Sequence, residues 1–115
     1  MDPIEASKII TDEYAAKILV ATYKKPMTAI ELSRKLDIPI AACYRRLKTL
    51  ESMKLVTCVE RRLTQKGKRI SVYQSLLKNA YIFFENGKMR VRLEFTSGAT
   101  ENFGGDWKVL NIDEK

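Results

Sequence analysis

The side chains best equipped for chemistry in this sequence are cations. Arg45, Arg46 and Lys48 lie within four residues of one another, and Arg61, Arg62, Lys66, Lys68 and Arg69 within nine. Planar guanidinium forks and compact ammonium groups at that density suit phosphate and other polyanions. Other chemistry is poorly supplied. There is no histidine, which removes imidazole acid-base catalysis, Ser-His-Asp and Cys-His nucleophile systems and most catalytic zinc sites. No glycine-rich phosphate loop occurs, and the isolated acids Glu31, Asp37 and Glu51 are accounted for by a helix cap, a turn and a surface position. We therefore expect no enzyme and no cofactor. Cys43 and Cys58 form no C-x-C pair; they read as small core residues rather than a metal site, the alternative being a redox pair.

The charge is unevenly placed. Residues 1–22 hold two basic and four acidic side chains, residues 23–78 fourteen and four, and residues 79–115 five and six. The middle segment thus carries +10 of a net +7, with mildly acidic ends. A uniformly solvated surface has no need of that asymmetry, so residues 23–78 are expected to meet a polyanion. A length of 115 residues with 45% apolar and 30% charged side chains is consistent with a folded chain of one-domain size. The longest uncharged stretches, such as Ile70–Leu77, fall far short of the roughly 20 apolar residues of a membrane helix. The acidic start Met1-Asp2-Pro3-Ile4-Glu5 is unlike a secretory signal, so a cytoplasmic protein is expected.

The cations must be positioned by local structure. From Asp12 to about Tyr23 the sequence is free of Gly and Pro, with Thr11 or Asp12 available as a cap, and predicts a first helix. After Lys24-Lys25-Pro26, the spacing Thr28-x-x-Glu31 is that of a capping box and opens a second helix, to about Leu36, with Ile30, Leu32 and Leu36 as its stripe. A break at Asp37-Ile38-Pro39 precedes a third helix, about 40–52. There Cys43, Leu47 and Leu50 recur on one buried face while Ala41, Arg45, Lys48 and Ser52 point away. Two short helices joined by a tight turn, the second with a basic outer face, make a helix-turn-helix pattern. Val56–Leu63 and Arg69–Ser75 then read as strands around the turn Thr64-Gln65-Lys66-Gly67-Lys68, a hairpin whose tip is crowded with cations and has the form of a wing.

The run ELSRKLDIPIAACYRRLKTLESMKLV, from Glu31 to Val56, followed by the GKR-tipped hairpin ending in Val72-Tyr73, resembles the archaeal ArsR-like winged helix-turn-helix regulators. The resemblance covers about Thr11 to Leu76. It implies a double-stranded DNA-binding transcriptional regulator with Ala41, Ala42, Tyr44, Arg45 and Lys48 facing the major groove and Arg46 nearer the phosphate backbone. It places Arg61, Arg62, Lys66, Lys68 and Arg69 in the wing. The apolar start Ile40-Ala41-Ala42 departs from strongly sequence-specific readers, although small groups there suit a thymine methyl. Metal-sensing relatives use clustered cysteines, which this chain lacks, and no small-molecule effector is identified.

In the C-terminal third, Asn86-Gly87 between Tyr81–Glu85 and Lys88–Phe95 predicts a two-residue hairpin with Glu85 opposite Lys88, Phe84 opposite Met89 and Ile82 opposite Val91. One face then carries Ile82, Phe84, Met89, Val91, Leu93 and Phe95. It must be covered, either by the first helix or by the same ribbon of a second subunit. Asp106–Leu110 reads as a third strand or as a solvated tail. The expected architecture is α+β: a winged helix-turn-helix (three-helix core plus β-hairpin wing) over residues 1–78, with a C-terminal β-hairpin extension over 79–115 that packs on the core or at a homodimer interface. The competing reading is a winged-helix protein-protein module, with Ile40-Ala41-Ala42 and the aromatic ribbon as contact surface. RNA suits an exposed helix less well, because the major groove of the A-form is narrow.

Overall fold

The computed structural model describes residues 1–104. Its elements run α1 (Pro3–Thr11), α2 (Glu13–Lys24), β1 (Met27–Thr28), α3 (Ala29–Leu36), α4 (Ile40–Ser52), β2 (Val56–Leu63), β3 (Arg69–Ser75), β4 (Leu77–Glu85), β5 (Lys88–Phe95) and β6 (Thr100–Phe103). Helices α2–α4 and the antiparallel sheet β1-β3-β2 make the winged helix-turn-helix, and the antiparallel sheet β4-β5-β6 is its extension.

Local capping sets the helix ends. The Asp12 carboxylate accepts from the Ala15 amide at 3.0 Å to start α2. Thr28 and Glu31 form the expected reciprocal box: the Glu31 amide donates to Thr28 Oγ1 at 3.1 Å and the Thr28 amide to Glu31 Oε1 at 2.9 Å. α3 stops at Asp37, whose backbone turns left-handed with φ 57° and ψ 48°. The Ile38 amide then donates back to the Ser33 carbonyl at 3.0 Å and the Ser33 hydroxyl to the Ile38 carbonyl. With Ile38 buried and Pro39 opening α4, the turn between the two helices is fixed at both ends. Cys43, Leu47 and Leu50 are buried as their spacing predicts. Ile30 is not: it is 43% exposed, because the inward line of the eight-residue α3 is Ala29, Leu32 and Leu36.

The wing is a hairpin with a bulge between Cys58 and Glu60. Its turn is closed by the Thr64 amide donating to the Lys68 carbonyl at 2.8 Å and the Lys68 amide to Thr64 Oγ1 at 3.0 Å, with Gly67 at φ 77°. The two-residue strand β1, absent from the sequence reading, adds Met27 and Thr28 opposite Tyr73 and Val72 and anchors the wing to the start of α3.

The second hairpin keeps the expected register, Ile82 opposite Val91, Phe84 opposite Met89 and Glu85 opposite Lys88, with Asn86 and Gly87 at φ 53° and 75°. Strand β4 begins at Leu77 rather than Tyr81, across a bulge at Lys78. Thr100–Phe103, which the sequence reading did not place in a strand, pairs with β5 as β6; Asp106–Leu110 lies outside the described residues. The cover of the ribbon is an element the sequence reading omitted. α1, opened by an Asp2–Glu5 capping box around Pro3, packs on β5, and Ala6, Met89, Val91 and Leu93 join the same buried cluster as Ile18, Leu32 and Leu47. No helix among the described residues is long and apolar enough to cross a membrane.

Candidate nucleic-acid interface

A helix advances 100° per residue, so one exposed stripe of α4 holds i, i+3, i+4 and i+7. The structure fills that stripe with Ala41, Tyr44, Arg45 and Lys48, all exposed. Ala42 is corrected: it is only 4% exposed and lies in the core, because it shares with Arg46 the side of α4 turned toward α2. Arg46 is engaged within the protein. Its Nε and Nη2 donate to Asp12 at 2.7 and 3.2 Å, and its guanidinium carbon lies 5.5 Å from the centre of the Tyr14 ring. Nothing local announces this pair, whose members are 34 residues apart in sequence.

Asp12 thus both caps α2 and holds α4. The hydrogen bond from Arg46 is the main reason its carboxyl lies below its ordinary value of 3.8, with the Ala15 amide assisting. A depressed carboxyl stabilises the fold above its unfolded value and ceases to do so as pH falls through the folded one. Asp12→Asn, which keeps a good cap but not the charge, is expected to be about 0.5 to 1 kcal/mol less stable at neutral pH. The deficit should begin to shrink as pH falls below about 4 and disappear only once pH lies below the depressed folded value. Thermal unfolding of both proteins across that range tests it; parallel losses would remove the ion pair as the cause.

In the wing, Arg61, Lys66, Lys68 and Arg69 are exposed at or beside the tip. Arg62 turns back, its Nη1 lying 3.5 Å from Glu31 Oε2, with both side chains near half-exposed. The hydrogen bond to the Thr28 amide, aided by the charge of Arg62, keeps the Glu31 carboxyl below its ordinary range despite some burial. The helix face and the wing meet in a cleft of about 260 Å³ between α3, α4 and β3. Its lining brings together Tyr44 of α4, Ile30 of α3 and Lys68, Arg69 and Tyr73 of the wing. Sequence reasoning missed Ile30 here; its place beside Ala29 on a short helix was the available signal.

A family model described as a helix-turn-helix domain matches residues 10–59. The matched helix-turn-helix domain runs from the end of α1 through α4 into β2, and the hairpin tip and second sheet lie beyond it. No curated protein matches the sequence. Among the described residues no group of three or more Cys, Asp or Glu is arranged to hold a metal ion.

The cysteines are unequal. Cys43 is fully buried, its thiol facing the Ala29 carbonyl at 3.5 Å, and burial pushes the thiol up; Cys58 is half-buried. Alkylation of the native protein is therefore expected to modify Cys58 well before Cys43, read by peptide mass spectrometry. Equal rates would mean that α4 opens readily from α3.

Proposed function

We propose that the protein is a non-enzymatic transcriptional regulator that binds double-stranded DNA as a homodimer, with α4 in the major groove and the wing on the backbone or minor groove. One observation carries this reading: Tyr44, in the exposed stripe Ala41, Tyr44, Arg45 and Lys48, lines one cleft together with Lys68 and Arg69 of the cationic wing. The matched helix-turn-helix domain supports it, as does the concentration of positive charge in residues 23–78. Arg45, exposed and with a planar donor fork, is assigned to a base edge, and Lys48 to phosphate.

The test is fluorescence anisotropy of duplex DNA at two salt concentrations, followed by selection of a preferred site from random DNA. Arg45→Ala should then weaken the selected site by roughly 1 to 3 kcal/mol more than a random duplex. Equal loss on both would make it a phosphate contact. The exposed apolar side chains Ile30, Ile40 and Tyr44 around the same surface favour one competing reading, a protein-binding winged helix. Absence of duplex binding at low salt would select it.

A further inference from the structure

The second sheet has one closed side and one open side. β5 is central, and α1 covers its inward row Met89, Val91 and Leu93. β4 is the edge, and the same apolar row continues onto it uncovered: Ile82 is 39% exposed and Phe84 75%. On the opposite face, Tyr81 and Phe83 stack with ring centres 6.1 Å apart. Exposed edge strands are ordinarily guarded by lysine, proline, a bulge or short length. In β4 the bulge and Lys78 sit at one end and Glu85 at the other, and Asn79–Phe84 between them has no charge and no proline. The other edge, β6, is only four residues long.

We infer that β4 is the subunit interface, pairing antiparallel with β4 of a second copy to make one six-stranded sheet. The inference rests on the homodimer reading above and gives it a surface. A second copy fits because the strand is self-complementary. Antiparallel pairing of identical edges requires a two-fold perpendicular to the sheet, which keeps each side chain on its own face, so paired residue numbers must share parity. Centring the pair on Ile82 engages all of 79–85, the regular part of β4 between the bulge and the Asn86-Gly87 turn. Ile82 then meets Ile82, Phe84 lies over Ala80, Tyr81 meets Phe83 and Asn79 meets Glu85. No like charges face each other, and large rings stand against small or apolar partners. The two-fold closes the only long open edge of this sheet among the described residues, so association stops at two.

The test uses the full chain. Sedimentation velocity without DNA should give twice the 13.2 kDa chain mass. Phe84→Glu, with unchanged circular dichroism, should raise the dimer dissociation constant roughly thirtyfold or more, as loss of a central aromatic anchor does. Should that variant fail to fold, Ala80→Lys, at an already exposed position, serves instead. In a Cys58→Ser background, Ile82→Cys should form an intersubunit disulfide on mild oxidation, whereas Phe84→Cys, facing Ala80, should not. A monomeric wild type, a Phe84→Glu or Ala80→Lys chain that remains dimeric, or equal cross-linking at 82 and 84 would each overturn the interface. Because mass is read without DNA, a dimer that binds no duplex would sink the regulator and leave the interface standing. A monomer that binds duplex with salt dependence would sink the interface and the homodimer, and leave the DNA-binding reading standing.

Discussion

Replacing Lys66, Lys68 and Arg69 together by alanine is expected to flatten the salt dependence of duplex binding by close to three phosphate contacts. Each contact on B-DNA adds about 0.9 to the slope of log affinity against log salt, so the slope should fall by about 2.7. Extrapolated from molar salt, the same contribution predicts roughly a hundredfold loss of affinity near 0.15 M. The loss should fall alike on every sequence, since phosphate contacts carry no base information. The fold should be unaffected, because all three side chains are exposed and the turn is closed by backbone groups, Thr64 Oγ1 and Gly67. Anisotropy titrations of two unrelated duplexes at several salt concentrations measure both quantities. An unchanged slope would mean that the hairpin tip stays clear of DNA and would leave the α4 face alone as the contact.

Leu47→Ala is expected to have the largest effect on stability. Leu47 is 1% exposed, on the inward face of α4 among buried Cys43, Leu50 and Leu32. Truncation there removes apolar contacts and leaves a cavity that a close-packed helical core closes only in part, at a cost of about 2 to 5 kcal/mol. For a chain of this length that corresponds to roughly 10 to 25 °C in melting temperature. Lys48→Ala, one residue on and exposed, should change the melting temperature little. The two substitutions should diverge in the opposite sense on DNA. Leu47→Ala, assayed cold while still folded, keeps every exposed group of the stripe and should bind nearly as wild type, whereas Lys48→Ala should bind more weakly at every site. A Leu47→Ala chain as stable as wild type would contradict the packing of α4 on α2 and α3.

Features governed by neighbours in the chain were legible in the sequence. The Thr28–Glu31 box, the helical spacing of Cys43, Leu47 and Leu50, and the Asn86-Gly87 turn with its register all depend on contacts spanning a few residues. The α1 cap at Asp2–Glu5 is equally local, yet a helix of nine residues has little stability of its own and is held by its packing on β5. Where a side chain ends up depends on what packs against its element. Ala42 and Arg46 stand beside members of the exposed stripe of α4, and only the approach of α2, with Asp12 waiting 34 residues away, turns one into the core and the other into an ion pair. Ile82 and Phe84 share a face with Val91 and Met89 in any reading of the hairpin. Which pair is covered was decided by where α1 sits, against β5. Sequence alone therefore settled helices α2 to α4, the presence and order of the two hairpins and the register of the second one, since hydrogen-bonding and steric preferences act within a few residues. The tertiary structure decided which cations stay available, which joins Asp12, and which strand is left open, because burial and charge pairing are set by elements distant along the chain.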